Sequence, residues 1–292
     1  ITRPCTKHNF LVRNIDELAS TIKEAFNIAR SGRPGPVLVD LPKNVMAAKT
    51  DFDPANVKFR NYDVPHKAAP KKIANIFDML QTAQRPLIMT GGGVLLGRAS
   101  EELTALAKKY RIPVTGTLMG LGSFPGSDPL WLGMLGMHGT YYANMAVSHC
   151  DLLIAVGVRF DDRVTGTIET FAPNAKIIHI DIDPSSINKN VTVDLPIVGY
   201  TKATLQDLLH FLDDHHYAQD DDTRDVWLRE IADWREKVPL TYCSEGDVIK
   251  PQYVIETLHR MTGGDALITT EVGQNQMWTA QFFKFDKPNT FI

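Results

Sequence analysis

The sequence predicts an α/β protein: a doubly wound parallel sheet with helices on both faces, flanked by partial α/β domains. Three observations carry this. The runs VLVDLP (37–42), PLIMT (86–90), LLIAVGV (152–158) and KIIHIDI (176–182) are almost continuously apolar, as strands covered on both faces are. Amphipathic helical stretches alternate with them in βαβαβ order. Glycines, prolines and short polar clusters punctuate the ends of the runs.

Taken in order, Asn14 or Asp16 is placed to cap a helix running to about Ser31, with Leu18, Ile22, Ala25, Phe26 and Ala29 on one face. Gly32 stops it, Arg33-Pro34-Gly35-Pro36 makes a rigid turn, and the strand 37–42 follows. Residues 48–65 are polar, without a sustained period, and read as a linker. A helix at about 67–83 leads to PLIMT, which ends in Gly91-Gly92-Gly93. A helix at 98–110 leads to PVTGTL (113–118), then a Gly-, Pro- and Met-bearing loop, then a helix at 140–149. The strand 152–158 runs into Arg159-Phe160-Asp161-Asp162-Arg163, and 176–182 ends at Asp183-Pro184. A short strand PIVG (196–199) precedes a helix at 201–213. Residues 214–249 are charged and helical, with Trp227, Ile231 and Trp234 on an apolar stripe, and read as a connecting helix packed on the surface. A fresh α/β unit then opens with a helix at 252–262 and the strand ALITTEVG (266–273).

Composition narrows the function. A chain of 292 residues suggests about two domains. With 43% hydrophobic and 22% charged residues it is ordinary globular material. The net charge of -3 supplies no basic excess for nucleic acid. No apolar run approaches the ~20 residues that span a bilayer, so no membrane is expected. Three cysteines, Cys5, Cys150 and Cys243, without a CxxC spacing fit neither a disulfide framework nor a zinc ribbon, and suit a reducing cytoplasm.

In an open parallel sheet, ligands bind beyond the C-terminal strand ends. Here those ends carry Gly91–Gly93, Thr117-Leu118-Met119-Gly120, Gly157-Val158-Arg159-Phe160-Asp161 and Asp181-Ile182-Asp183. Glycines admit a ligand close to backbone N–H groups, and an acidic residue at a strand end can accept from ribose hydroxyls. Each feature alone is weak: a GGG is as well a flexible turn, and Asp181 a cap. Their coincidence at the tips of one sheet points to a nucleotide-type ligand. His138 stands in the loop Met134–Thr140, whose methionines suit a flat apolar ligand or simple core filling. No GxGxxG follows a first strand, and GxxxxGK[ST], HExxH and GxSxG are absent.

The segments SGRPGPVLVDLPKNV (31–45), TLMGLGSFPG (117–126), LGMLGMHGTYYANMAV (132–147), GVRFDDRVTG (157–166), KIIHIDIDPSSI (176–187) and VGQNQMW (272–278) together resemble the large catalytic subunits of acetolactate synthase, also called acetohydroxyacid synthase, within the thiamine-diphosphate enzymes. GMHGT followed by GVRFDDR separates that family from the pyruvate decarboxylases and related thiamine-diphosphate enzymes. The resemblance implies condensation of two pyruvates, or of pyruvate and 2-oxobutyrate, with loss of CO2, in isoleucine, valine and leucine biosynthesis. It implies FAD without net redox, thiamine diphosphate and magnesium, a homo-oligomer (dimer or tetramer), a small regulatory subunit and a cytoplasmic or organellar setting, of which the cytoplasm is expected here.

By the same resemblance, residues 1–47 match the end of a pyrimidine-binding domain and 48–65 a linker. Residues 66–215 match a whole FAD-binding central domain, 216–249 a helical connector and 250–292 the start of a diphosphate-binding domain. The chain starts at Ile1 and stops at Phe291-Ile292 inside a predicted strand, which fits an internal piece. The family's activating glutamate then lies upstream and its Gly-Asp-Gly magnesium motif downstream. No catalytic residue and no metal ligand is expected within the chain, and it should be inactive alone.

The implied flavin contacts are Arg33, Gly91, Gly92, Gly93, Thr117, Leu118, Met119, Leu135, Gly136, Met137, His138, Gly157, Val158, Arg159, Phe160, Asp161, Arg163, Asp181 and Ile182. Val272, Gly273, Gln274 and Asn275 match the start of the diphosphate site. Lys43, Met137, Asp162 and Arg163 match the substrate channel. Two positions depart from the family pattern: Asn275 stands where His is usual, and Tyr200 where Asp is usual. The competing readings are a flavin- or nucleotide-binding module without catalysis, and a related thiamine-diphosphate enzyme such as pyruvate oxidase.

Overall fold

The computed structural model describes residues 1–53, 57, 67–243, 246 and 248–292. The chain divides into two compact units, 1–65 and 66–292. Most of the predicted linker 48–65 lies outside the described residues.

In the first unit, β1 (His8–Leu11) and β2 (Val37–Asp40) pair in parallel, His8 opposite Val37. The crossover between them is α1 (Leu18–Arg30). Asn14 starts it: its side chain accepts from the Asp16 amide and caps a 3-10 turn leading into the helix. The inward face of α1 is Ala25 and Ile28, while Phe26, predicted on the apolar face, is 68% exposed. A short helix α2 (Lys43–Ala47) follows β2. β1 was not predicted, because HNFL carries too few apolar residues to stand out.

The second unit opens with α3 (Pro70–Thr82), β3 (Pro86–Thr90), the short α4 (Gly92–Leu96), α5 (Ser100–Lys109) and β4 (Val114–Gly116). It continues with β5 (Trp131–Met134), α6 (Tyr141–His149), β6 (Leu152–Val156), α7 (Asp162–Thr165) and β7 (Lys176–Asp181). Then come β8 (Leu195–Val198), α8 (Thr201–Asp214), α9 (Asp221–Lys237), α10 (Pro251–Thr262) and α11 (Gln274–Phe282). Strands β3 to β8 form one parallel sheet in the order β5-β4-β3-β6-β7-β8. This is the doubly wound arrangement that the sequence predicts.

Strand alternation builds two cores, one on each face. Ile88, Ile154, Ile178 and Ile180 pack with Ile76 and Leu80 of α3, Leu103 and Leu106 of α5, and Leu205 and Leu208 of α8. Leu87, Met89, Leu153 and Ala155 pack on the opposite face with Tyr142, Ala143 and Ala146 of α6 and Trp227 and Ile231 of α9. The sheet edges carry few free pairing groups. The Trp131 carbonyl of β5 accepts from Arg235 at 2.9 Å, and Gly133 bends that strand. At the other edge Pro196 has no N–H, and its carbonyl accepts from Lys72.

The predicted apolar stripe of α9 packs inward: Trp227 is 1% and Ile231 3% exposed, and Trp227 Nε1 donates to the Pro86 carbonyl at 3.1 Å. One expectation needs correction. The segment 266–273 forms no strand; a single bridge joins Ile268 to Phe291. Among the described residues it pairs with the short stretch around 290–292, where Ile268 N donates to Thr290 O and Ile292 N to Ile268 O.

Because Trp227 fills the second core, Trp227→Ala should cost about 3–5 kcal/mol in urea unfolding. Trp234→Ala, at a half-buried site, should cost clearly less. Equal losses would contradict the core placement of α9.

Candidate functional site

The strand order reverses between β3 and β6, so their C-terminal ends open the crevice where ligands bind in such sheets. All strands are parallel, so the predicted segments after β3, β4, β5, β6 and β7 lie along one sheet edge. The crevice is held shut at its floor by backbone alone. Gly91 N donates to Val156 O at 3.1 Å, and Gly93 N to Gly157 O at 3.0 Å. A Cβ on Gly93 would lie 2.6 Å from Gly157 Cα, and one on Gly91 2.4 Å from Gly157 O. Gly157 has φ +61, a conformation side-chain-bearing residues avoid.

The segment after β4 is hung on the same strand end. Thr117 N donates to Thr90 O at 2.9 Å, and the buried Thr90 and Ser123 hydroxyls meet at 2.8 Å. Met119 then lies over Gly92, with its Cβ 3.2 Å from where a Gly92 Cβ would sit. Met119 and Met137 are each 63% exposed, so both methionines face outward at this edge and neither is core filler.

The segment after β5 turns at Gly136, φ +92, where a Cβ would lie 2.3 Å from Arg163 O. Met137 N donates to that same Arg163 O at 3.0 Å. Asn144 of α6 accepts from Gly136 N at 2.8 Å and donates to Gly136 O at 3.0 Å. Gln281 of α11 donates to His138 O at 2.9 Å. Leu118 and Met277 of α11 both pack on one apolar cluster containing Leu121 and Met134.

The segment after β6 is held from below. His179, fully buried on β7, donates from Nε2 to Val158 O at 2.8 Å. Asn190 donates to Phe160 O at 2.8 Å. Phe160 itself has φ +49 and is 2% exposed, its ring edge-on to His179 at 4.9 Å and to Phe171 at 5.9 Å. Burying Phe160 turns its neighbours outward: Arg159 is exposed and sits 3.3 Å from Asp161. Asp161 caps α7, accepting from Arg163 N, and Asp162 and Arg163 are exposed. Burial pushes the His179 imidazole below its ordinary value of 6.5, with the Val158 carbonyl and Asp181 opposing. It is therefore neutral at pH 7.

Asp181 is 7% exposed and accepts from the Asp183 amide at 2.8 Å, so it is a buried strand-end carboxylate rather than a surface residue. Ile182 follows it at the same edge. Gly273 precedes α11 with Gln274 and Asn275 opening the helix, and Val272 is 92% exposed. Arg33 and Lys43 belong to the first unit, in the turn before β2 and at the start of α2. Among the described residues, no group of three or more His, Cys, Asp or Glu side chains is placed to hold a metal ion. No described helix is long and apolar enough to cross a membrane.

Sequence reasoning did not single out Asn144, His179, Asn190 or Gln281. One signal was present: a histidine inside the otherwise apolar run KIIHIDI must have a partner if both sheet faces are covered.

Comparison with known proteins places this geometry. Residues 73–208 match the family model for the central domain of thiamine pyrophosphate enzymes. The acetolactate synthase large subunit of Buchnera aphidicola subsp. Schlechtendalia chinensis is 44% identical over 295 positions, covering 100% of this chain and 51% of that protein. The acetolactate synthase isozyme 3 large subunit of Escherichia coli (strain K12) is 44% identical over 296 positions, again 100% and 51%. Acetolactate synthase 3, chloroplastic, of Brassica napus is 44% identical over 295 positions, 100% of this chain and 45% of that one. The chain thus spans about half the length of the curated relatives it matches.

Gly157→Ala adds a strained φ to a backbone clash, and should destabilise by more than the ~1–3 kcal/mol of the strain alone. Gly92→Ala meets only the Met119 chain at 3.2 Å and should cost far less. Thermal unfolding of the pair checks this. His179 adds a pH dependence. Its folded value lies below the unfolded one, so the unfolded chain binds the proton first. Stability should be full above about 6.5 and fall as pH drops below it, towards the folded value. Urea midpoints of wild type and His179→Gln between pH 7.5 and 5 should diverge in slope; parallel curves would remove His179 from the account.

Proposed function

We propose that this chain carries the FAD site of an acetolactate synthase large subunit, a reading supported by the match of residues 73–208 to the central-domain model of thiamine pyrophosphate enzymes and by similarity to such subunits along the whole chain. The observation that carries the reading is the crevice between β3 and β6, whose floor is glycine backbone on both sides. The contact of Gly93 with Gly157 leaves the floor without side chains, so a pyrophosphate would lie above it against the start of α4. Arg159 and Arg163 project beyond the buried Phe160 and would supply charge for it. Asp181, at the next strand end, suits the ribose hydroxyls. The flat ring would lie along Thr117–Met119 and Leu135–His138, between exposed Met119 and Met137.

The whole subunit would join two pyruvates, or pyruvate and 2-oxobutyrate, in branched-chain amino-acid synthesis. Thiamine diphosphate, held with magnesium, supplies the carbanion chemistry when bound. In this reading residues 66–215 are the flavin domain, 1–47 and 250–292 are parts of the two thiamine domains, and Val272–Asn275 open the diphosphate site. Arg33, Lys43, Asp162 and Arg163 would reach the flavin or the substrate channel in the assembled enzyme. A homo-oligomer, a small regulatory subunit and a cytoplasmic setting complete the proposal. In this reading the activating glutamate and the Gly-Asp-Gly magnesium motif belong to the rest of the subunit, and this chain alone should not turn over.

A flavin titration tests this. The 292-residue chain should bind FAD, and Arg159→Ala should weaken binding about 10- to 150-fold, the loss of one charge-assisted contact worth roughly 1.5–3 kcal/mol. No binding by folded wild type would end the flavin reading. Acetolactate formation from pyruvate by this chain alone, with all cofactors supplied, would end the proposed division of labour.

A further inference from the structure

Two of the segments at the sheet edge are tied together through one side-chain amide. Asn144 holds both backbone groups of Gly136, as acceptor at 2.8 Å and donor at 3.0 Å. Only one orientation of the carboxamide satisfies both bonds. Gly136 in turn sits against Arg163 O, which the next residue, Met137, engages through its N–H at 3.0 Å. Gly139 N closes the turn on Gly136 O at 3.0 Å. The grip is as firm as the helix that bears it. α6 is capped by Thr140, whose hydroxyl accepts from Ala143 N and donates to Leu132 O at 2.7 Å. Tyr142, Ala143, Ala146 and Val147 bury its other face.

We propose that Asn144 is a positioning residue for this site: it fixes Gly136, and through the Met137–Arg163 bond sets the segment bearing Met137 and His138 in register with that bearing Arg159 to Arg163. The ligand side of this rests on the flavin reading above; the coupling of the two segments does not. Asn144 touches no ligand in this account. It makes the outward placement of Met137 and Arg163 one geometry instead of two independent ones.

The test uses the whole chain. Amide exchange read by NMR should show Gly136 and Met137 losing roughly tenfold or more of their protection in Asn144→Ala, the scale of one lost hydrogen bond. Amides of Asp162 to Thr165 should loosen with them, while β6 and β7 keep wild-type protection. Unchanged protection at Gly136, or loosening that stops at Met137, overturns the coupling. Asn144→Asp gives a second arm and stands in if the alanine variant does not fold. Its carboxylate accepts from Gly136 N but sets a second oxygen against Gly136 O. Protonation near pH 4 restores a donor. Protection should therefore recover on acidification in Asn144→Asp. The ionisable groups on the elements packed here include His138, Arg159, Asp161, Asp162 and Arg163 on the two segments, Tyr141, Tyr142 and His149 on α6, and Asp225, Arg229, Glu230, Asp233, Arg235 and Glu236 on α9. The same pH series on wild type removes their contribution. No recovery on acidification would overturn the bidentate role. Finally, FAD should bind Asn144→Ala about tenfold more weakly at unchanged circular dichroism. Unweakened binding would show that the register does not serve the ligand. If wild type itself binds no FAD, the flavin reading fails and the exchange data decide the coupling alone.

Discussion

Between the tips of β3 and β6 the backbones of Gly93 and Gly157 lie so close that a Cβ on Gly93 would sit 2.6 Å from its neighbour's Cα. Other features of the site follow from that contact. It brings the two strands at the reversal of the sheet into register to their last residues, Thr90 opposite Val156. It leaves the crevice floor without side chains, and it starts the turn that sends Val158 and Phe160 into the second core. Residues beyond the contact are therefore sorted by burial: Val158 and Phe160 inward, Arg159 outward.

Much of this was legible in the residues. PLIMT was read as a strand with its observed bounds, because a strand buried on both faces shows as an unbroken apolar run. β5 was missed for the opposite reason: LWLGM holds a glycine with φ +83 and alternates in burial, so it reads as loop. The segment 266–273 has the composition of a strand, but a strand also needs a partner, and composition says nothing of that. α9 is charged overall, but the apolar stripe that its sequence shows, with Trp227 and Ile231, decides its place.

The candidate site divides in the same way. Residues that would face a ligand stood out, since glycines, arginines and a carboxylate at strand ends are unusual there. Residues that hold those segments did not. His179, Asn144, Asn190 and Gln281 each act on a backbone carbonyl or amide distant in sequence, and such targets leave no trace in residue identity. The first group is written in side-chain chemistry, the second in chain geometry.

The two outer strands of the sheet bear on a different matter, the solubility of the folded chain. A parallel sheet of six strands ends in two rows of backbone groups able to recruit a strand from another molecule. Here one row is bent at Gly133 and capped by Arg235, and the other is broken by Pro196 and occupied by Lys72. An incoming strand would have to displace a guanidinium at one side and find a missing donor at the other. Both outer strands thus present an interrupted row, a poor template for a further strand.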